Sequence, residues 1–86
     1  MKRVKFVQDA KLDPGRYYRN PTDIVRDRRL TNDDRLEILR AWEREAERQL
    51  SESSDELAAE RLQQLQRVRE ELEQDVENAA EAAKPR

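Results

Sequence analysis

The sequence predicts an all-α protein, in which a short helix and two long helices follow a basic, partly extended N-terminal arm. Three observations predict this class. Apolar residues recur every three or four positions over long stretches, helix-starting residues precede those stretches, and Gly and Pro are confined to the connections and the ends. Only 35% of the residues are hydrophobic and 44% are charged, so the helices must share a thin core.

The chain divides into three segments. Residues 1–19 form the basic N-terminal arm, and residues 51–86 form a long amphipathic helix with a frayed tail. Residues 20–50 hold two capped helices, at about 21–28 and 32–50. Because a chain of 86 residues buries a modest share of its surface, we expect a second copy or a partner protein to complete the core.

Charge is distributed unevenly along the chain. Residues 1–30 carry nine Lys and Arg against four Asp, whereas residues 31–86 carry nine Lys and Arg against sixteen Asp and Glu. The net charge of −2 therefore hides a basic arm on an acidic helical body. Such a polarity allows pairing within the chain, between copies or with a polyanion.

The arm carries a strand pattern and a turn pattern. Val4 and Phe6 alternate with charged residues, which predicts a short strand that pairs with another chain or with a return near Tyr17-Tyr18. Asp13-Pro14-Gly15 predicts a turn, with Gly15 at a positive φ. We therefore expect the arm to be partly extended, although the sequence leaves open whether it is a strand or disordered.

Two helix starts follow the arm. Asn20-Pro21 begins the first helix, because Asn caps early backbone N–H groups and Pro suits the first helical position. Thr31 begins the second helix, with Asp34 in the place of the acid that completes a capping box. The second helix then shows an apolar stripe, in which Trp42 is predicted to be the largest core side chain: Leu36, Leu39, Trp42, Ala46 and Leu50.

A third helix is predicted from Ser53 and Glu56, which form a capping box, to the tail before Pro85. Its apolar residues recur at nearly the 3.5-residue spacing of a coiled coil. They predict a seam for a partner helix: Leu62, Leu65, Val68, Leu72 and Val76. The Ser-rich link at 51–54 favours an antiparallel hairpin over a continuous or kinked rod, although no Gly marks the reversal.

Composition excludes several kinds of site. The chain has no Cys and no His, so disulfides, thiolate metal sites and imidazole catalysis are excluded. No apolar run approaches the ~18 residues that span a bilayer. Paired acids such as Glu43 and Glu47 are better explained as a solvated face than as a cation site. We expect a cytoplasmic protein with no membrane association, cofactor, metal or catalytic residue.

The arm also holds the candidate polyanion contacts: Lys2, Arg3, Lys5, Arg16, Tyr17, Tyr18 and Arg19. Adjacent aromatic rings between guanidinium groups can stack on bases and contact phosphates. The structural alternative is that one Tyr fills the thin core while the Arg side chains pair with the acidic helices, and we favour this alternative. Similarly, the row formed by Arg40, Arg44 and Arg48 favours ion pairs with neighbouring acids over phosphate binding.

The block between the arm and the third helix resembles a known group of sequences. It carries Pro21-Thr22-Asp23-Ile24-Val25, Asp27, Leu30-Thr31, Asp34-Arg35, Ile38-Leu39, Trp42-Glu43 and Glu45-Ala46. This block resembles small uncharacterised bacterial, mostly proteobacterial, proteins. Those proteins carry the pattern P-x-(D/E)-(V/I)-x-x-D-x-x-L-(S/T)-x-x-(D/E)-(K/R)-x-x-I-L-x-x-W-E-x-(D/E)-A. The resemblance covers about a third of the chain. It implies no activity, cofactor or site residue, because those proteins have no established activity.

Two functional hypotheses follow. The first is a non-enzymatic interaction or regulatory protein that acts through helix–helix contacts, with a protein partner or a second copy. The alternative is a small nucleic-acid-associated or antitoxin-like regulator that uses the basic arm. An enzyme is disfavoured, since a thin core without His or Cys has little room for a catalytic pocket.

Overall fold

The computed structural model describes residues 2–83, and its side chains from Lys5 to Ala82. The chain is helical, with no strand among these residues. Its helices are α1 (Lys2–Leu12), α2 (Pro14–Tyr17), α3 (Pro21–Arg26), α4 (Asn32–Ser53) and α5 (Glu56–Ala83). The predicted all-α class, with two long helices that pack together, is confirmed.

Helix α4 lies at the centre of the fold. It contacts α1, α2, α3 and α5, whereas α3 also contacts α5 and α1 also contacts α2. Ile38 and Leu39 of α4 are fully buried, as is Leu65 of α5. Trp42 retains 8% of its surface, so the predicted core position is confirmed. The Arg61 guanidinium covers its ring, with 5.1 Å between the guanidinium carbon and the ring centroid.

The two predicted helix starts are confirmed. Thr31 Oγ1 accepts a hydrogen bond from the Asp34 N–H at 3.1 Å, and the Asp34 carboxylate accepts one from the Thr31 N–H at 3.0 Å. At α3, the Asp23 carboxylate accepts from the Asn20 N–H at 3.4 Å, and Pro21 is the first helical residue.

Helix α3 ends at Arg26, two residues before the predicted end at 28, because the backbone of Asp27 turns out of the helix to ψ 108°. At this turn, the Asp27 side chain accepts hydrogen bonds from Tyr18 and Arg29.

The expected extended arm is wrong. Residues Lys2–Leu12 form a helix, and Pro14 begins a further helical turn in place of the predicted 13–15 turn. Val7 and Ala10 explain the difference, because their three-residue spacing buries both side chains on one helical face, whereas the strand pattern extended over only a few residues. No Gly has a positive φ among the described residues, so that expectation for Gly15 is also wrong.

The connection between the long helices also differs from its prediction. Helix α4 continues to Ser53, whose Oγ donates to the carbonyl of Gln49 at 2.8 Å, so Ser53 does not cap α5. Asp55 takes that role, and its Oδ1 accepts from the Leu57 N–H at 2.9 Å. Ser54 adopts the left-handed conformation, with φ 52°, and ends α4. A Gly commonly has this role, but the sequence has none at this position.

The predicted seam of α5 lies in the core of this chain. Leu65, Val68 and Leu72 are buried, and Leu62 and Val76 are partly buried against the same cluster. The side chains at 77–82, beyond Val76, are all exposed. No helix in the described part of the chain is long and apolar enough to cross a bilayer.

Candidate functional site

Asp27 is the most heavily bonded acid of the N-terminal half. Its carboxylate accepts from Tyr18 Oη at 2.8 Å and from Arg29 Nε and Nη2 at 3.0 and 2.8 Å, and it also accepts from the Arg29 N–H. Its carbonyl accepts from Arg35 Nη2 at 2.9 Å. These bonds hold the α3–α4 connection to α2 and to the first turn of α4.

An aromatic contact extends this network to α1. The Arg29 guanidinium lies 4.3 Å from the centre of the Phe6 ring, and Phe6 meets Tyr17 edge to face with 5.5 Å between the ring centroids. One guanidinium therefore bonds to Asp27 and covers an aromatic ring of α1. Through Arg29, the half-buried Asp27 at the end of α3 is connected to α1, and through Tyr18 it is connected to the end of α2.

The Asp27 network shifts two pKa values in opposite directions. Hydrogen bonds from Arg29 hold the pKa of the Asp27 carboxyl far below its usual range. Burial, followed by the hydrogen bond to Asp27, raises the pKa of the Tyr18 hydroxyl above its usual range. Such a pair in an open cleft would suggest proton transfer. Here Tyr18 is 6% exposed and its hydroxyl is bound to Asp27, so the pair stabilises the fold.

A second charged network joins the two long helices. Glu43 is 7% exposed, and its carboxylate accepts from Arg69 Nε at 2.5 Å. Arg69 also bonds to Glu73, which in turn meets Arg40 at 3.4 Å. These acids are occupied by guanidinium groups, and no group of three acids within the described residues is arranged to hold a metal ion.

The candidate polyanion contacts occupy different environments. Lys5, Arg16 and Arg19 are exposed, whereas Lys2 and Arg3 lie in α1 with side chains outside the described set. Tyr17 is 41% exposed, but Tyr18 lies in the core. The two Tyr rings are therefore separated, and only that of Tyr17 is open to a stacking partner.

A groove between the N-terminal helices and α4 combines apolar and basic side chains. Its volume is about 280 Å³, and we name it the basic-apolar groove, lined by Lys11, Leu12, Pro14, Ala41, Arg44, Glu45 and Arg48. Leu12 is 84% exposed, the highest fraction among the large apolar side chains that the structure describes. An apolar side chain so exposed, beside several cations, is the clearest candidate for a contact with another molecule.

The cations of the groove are partly neutralised within the chain. Lys11 Nζ lies 2.9 Å from Glu37, and Arg48 lies 2.6 Å from Glu45. Arg44 is exposed and has no ion-pair partner among the described residues. The predicted pairing of the Arg row with acids therefore holds for Arg48, whereas Arg40 pairs across to α5 and Arg44 is free to meet a ligand.

A second groove lies where α4 meets the start of α5. It has a volume of about 360 Å³, and its lining includes Trp42, Leu57, Glu60 and Arg61. Leu57 is 73% exposed, but Arg61 is engaged by the Trp42 ring and by the carbonyl of Arg19 at 2.9 Å. Because its main cation already has partners, this groove is the weaker candidate.

The sequence alone did not identify the basic-apolar groove. Leu12 precedes the 13–15 turn pattern, within the arm that the sequence predicts to be partly extended. In an extended arm, an isolated Leu does not indicate which residues it contacts. Only the helical conformation of α1 places Leu12 beside the Arg row of α4. The free cation of that row, Arg44, is evident once the pairs of Arg40 and Arg48 are known.

We expect Asp27→Asn to lower the free energy of unfolding by about 1–3 kcal/mol, because the charged acceptor of Arg29 and Tyr18 is lost. The lowered pKa of Asp27 stabilises the fold above the usual carboxyl range, and this contribution is lost as the pH falls through the folded-state pKa. Below about pH 4, the stability of the wild type should therefore fall more steeply than that of the variant.

Urea unfolding at a series of pH values measures both effects. The matched control is Asp13→Asn, since the Asp13 side chain makes no capping hydrogen bond, and it should change the stability by less than about 0.5 kcal/mol. Equal losses in the two variants, or parallel acid profiles for wild type and Asp27→Asn, would contradict the central role of Asp27.

The structure gives physical roles to residues of the 21–46 block. Several are buried, including Pro21, Ile24 and Leu30, and others cap helices or pair buried charges. The resemblance of this block to small bacterial proteins stays a prediction. Comparison of the chain with family models, with curated proteins and with solved structures finds no match.

Proposed function

We propose that this is a non-enzymatic interaction protein that binds an acidic amphipathic helix of a partner protein in the basic-apolar groove. The observation that carries the proposal is the 84% exposure of Leu12 beside Arg44, a cation without an ion-pair partner among the described residues. An apolar anchor with charges around it suits a helix that presents apolar residues along one face and acids along its edges.

The chemistry of the groove supports a helical protein ligand. Covering Leu12 removes apolar surface from water, and a fully buried Leu side chain contributes about 1.5–3 kcal/mol. Pro14 and Ala41 add small apolar surfaces beside it. Acids on the ligand would meet Arg44 and Arg48 at the groove edge, where exposed ion pairs contribute up to about 1 kcal/mol each and favour the correct orientation.

The same groove is less suited to nucleic acid. Glu45 lies in its lining, and Glu37 and Glu47 alternate with the Arg residues along α4. A phosphate backbone would meet these carboxylates as well as the cations. The alternative function therefore depends on the exposed basic candidates near the N-terminus, Lys5, Arg16 and Arg19, together with the open ring of Tyr17.

We also propose that α4 and α5 form an antiparallel hairpin that supports the groove. Two ion pairs favour this direction, because Arg40 meets Glu73 and Glu43 meets Arg69, so residue numbers rise along one helix as they fall along the other. The short 54–55 link and the left-handed Ser54 are further support. The predicted alternative was a continuous or kinked rod.

Spin labels distinguish the hairpin from the rod. The chain has no Cys, so Asp33→Cys and Asp75→Cys provide unique attachment points. A continuous helix would separate these positions by about 60 Å, at 1.5 Å per residue. In the hairpin, where helix axes lie about 8–10 Å apart, we expect a distance below about 30 Å by pulsed electron paramagnetic resonance. Dilution with unlabelled protein removes intermolecular distances, and a dominant distance near 60 Å would rule the hairpin out.

The binding proposal is tested with a synthetic helical peptide that carries Leu on one face and Glu at its edges. We expect it to shift the NMR signals of Leu12 and Arg44, and to bind about tenfold more weakly to Leu12→Ser. Arg44→Glu should weaken binding several-fold, because it places an acid against the acids of the ligand.

The chain offers matched controls for both substitutions. Leu57→Ser removes a Leu that is 73% exposed and lies outside the groove, and Arg67→Glu reverses an exposed cation of α5. Neither should change the affinity by more than about twofold. A peptide with Lys in place of Glu should not bind. Equal losses in test and control variants, or binding of both peptides, would contradict the proposed groove.

Nucleic acid serves as the competing ligand. Binding of DNA or RNA that weakens steeply with added salt and is lost in a combined Lys5, Arg16 and Arg19 variant would favour the alternative function. Absence of binding at low salt would eliminate it.

A further inference from the structure

We propose that the basic-apolar groove is filled, in the free protein, by the C-terminal end of α5 from a second copy. This inference rests on the proposed function, because it assigns an occupant to the same groove. The end is defined as residues 77–82, whose side chains are all exposed and lie beyond Val76, the last residue of α5 that packs against the core.

The end of α5 has the composition that the groove requires. It carries Glu77 and Glu81, which are exposed and have no ion-pair partner among the described residues. Ala80 lies one turn from Glu77 on the helix surface, because residues three apart are neighbours on a helix. This small side chain beside the acids allows the helix to approach Leu12 closely while the carboxylates reach the groove edge.

The spacing of the charges also matches. Arg44 and Arg48 lie four residues apart on α4, and Glu77 and Glu81 lie four residues apart on α5. Two helices that pack side by side can therefore bring both pairs into contact at once. Arg48 would exchange or share its partner Glu45, whereas Arg44, which has no ion-pair partner among the residues with described side chains, would gain an acid.

Within one chain, these two pairs cannot form. Arg40 lies level with Glu73, and Glu43 lies level with Arg69. Continuing along α4 to Arg44 and Arg48 leads towards earlier residues of α5 and away from Glu77 and Glu81. Arg44 and Arg48 therefore lie on one side of the Arg40–Glu73 contact and the two acids lie on the other, so a second molecule is needed to join them.

In a dimer, the α5 end of each copy can bind in the basic-apolar groove of the other copy. Each copy contributes one groove and one α5 end, so the contact is reciprocal and closes as a two-fold dimer. The contact is small and charged, which predicts weak association that falls further with added salt. An acidic helix of another protein would then bind by displacing the α5 end, so self-association would limit access to the groove.

The charge pattern permits a test that a nonspecific contact would fail. One variant, Arg44→Glu with Arg48→Glu, has an acidic groove, and a second variant, Glu77→Lys with Glu81→Lys, has a basic end. Each variant alone opposes like charges, so we expect its dimerisation to weaken at least about tenfold by sedimentation. Mixing the two variants restores opposite charges in both grooves, and the mixture should dimerise like the wild type.

Several results would overturn the inference: a wild type that stays monomeric at about 0.5 mM and low salt, variants that still dimerise alone, or a mixture that stays monomeric. Circular dichroism verifies that each variant is folded. If a charge variant does not fold, Leu12→Ser supplies the second test, and unchanged dimerisation of that variant contradicts the contact. Arg67→Glu is the matched control and should dimerise normally.

The acidic peptide separates this inference from the proposed function. The variant with Glu77→Lys and Glu81→Lys retains its groove but lacks the competing end, so it should bind the peptide more tightly than the wild type. A monomeric wild type that binds the peptide would overturn the dimer and leave the proposed function intact. If the variant with Glu77→Lys and Glu81→Lys does not bind the peptide, the proposed function is overturned.

Discussion

The fold depends on α4 being covered on two sides at once. A helix with one apolar stripe needs one partner, but α4 contacts α5, where Glu43 pairs with Arg69, and also the N-terminal helices, where Ala41 lies beside Leu12 and Pro14. The pair of α4 and α5 alone would leave the α4 surface that contacts the N-terminal helices in water. The short helices α1, α2 and α3 therefore belong to the core, and their position creates the groove beside Leu12.

Two networks of charged side chains help to fix how the helices are arranged around α4. Asp27 holds the turn after α3 through Tyr18 and Arg29, and the ion pair of Glu43 with Arg69 fixes α5 against α4. Removing Arg69 would leave the buried Glu43 carboxylate without this ion-pair partner, which is more costly than the pair is favourable. The networks therefore favour one arrangement of a core that has few large apolar side chains to specify it.

Local signals predicted α3 and α4 well, because capping and helical periodicity act within a few residues. The Thr31–Asp34 box and the burial of Trp42 are examples. The sequence could not reveal that Glu43 is buried, since its partner Arg69 lies 26 residues away and only the packing of the long helices brings them together. The helix at α1 was missed for a similar reason: its short apolar pattern is ambiguous until Val7 and Ala10 have α4 to pack against.

The central claim is that the N-terminal residues form a packed helix that completes the core and builds the groove. Amide hydrogen exchange measured by NMR tests it most directly. We predict that the amides of Val7 and Ala10 exchange at least about a hundredfold more slowly than in an unstructured chain, and that they lose this protection before the amides of α4 do. Exchange of the α1 amides at the rate of an unstructured chain, while α4 stays protected, would contradict the claim.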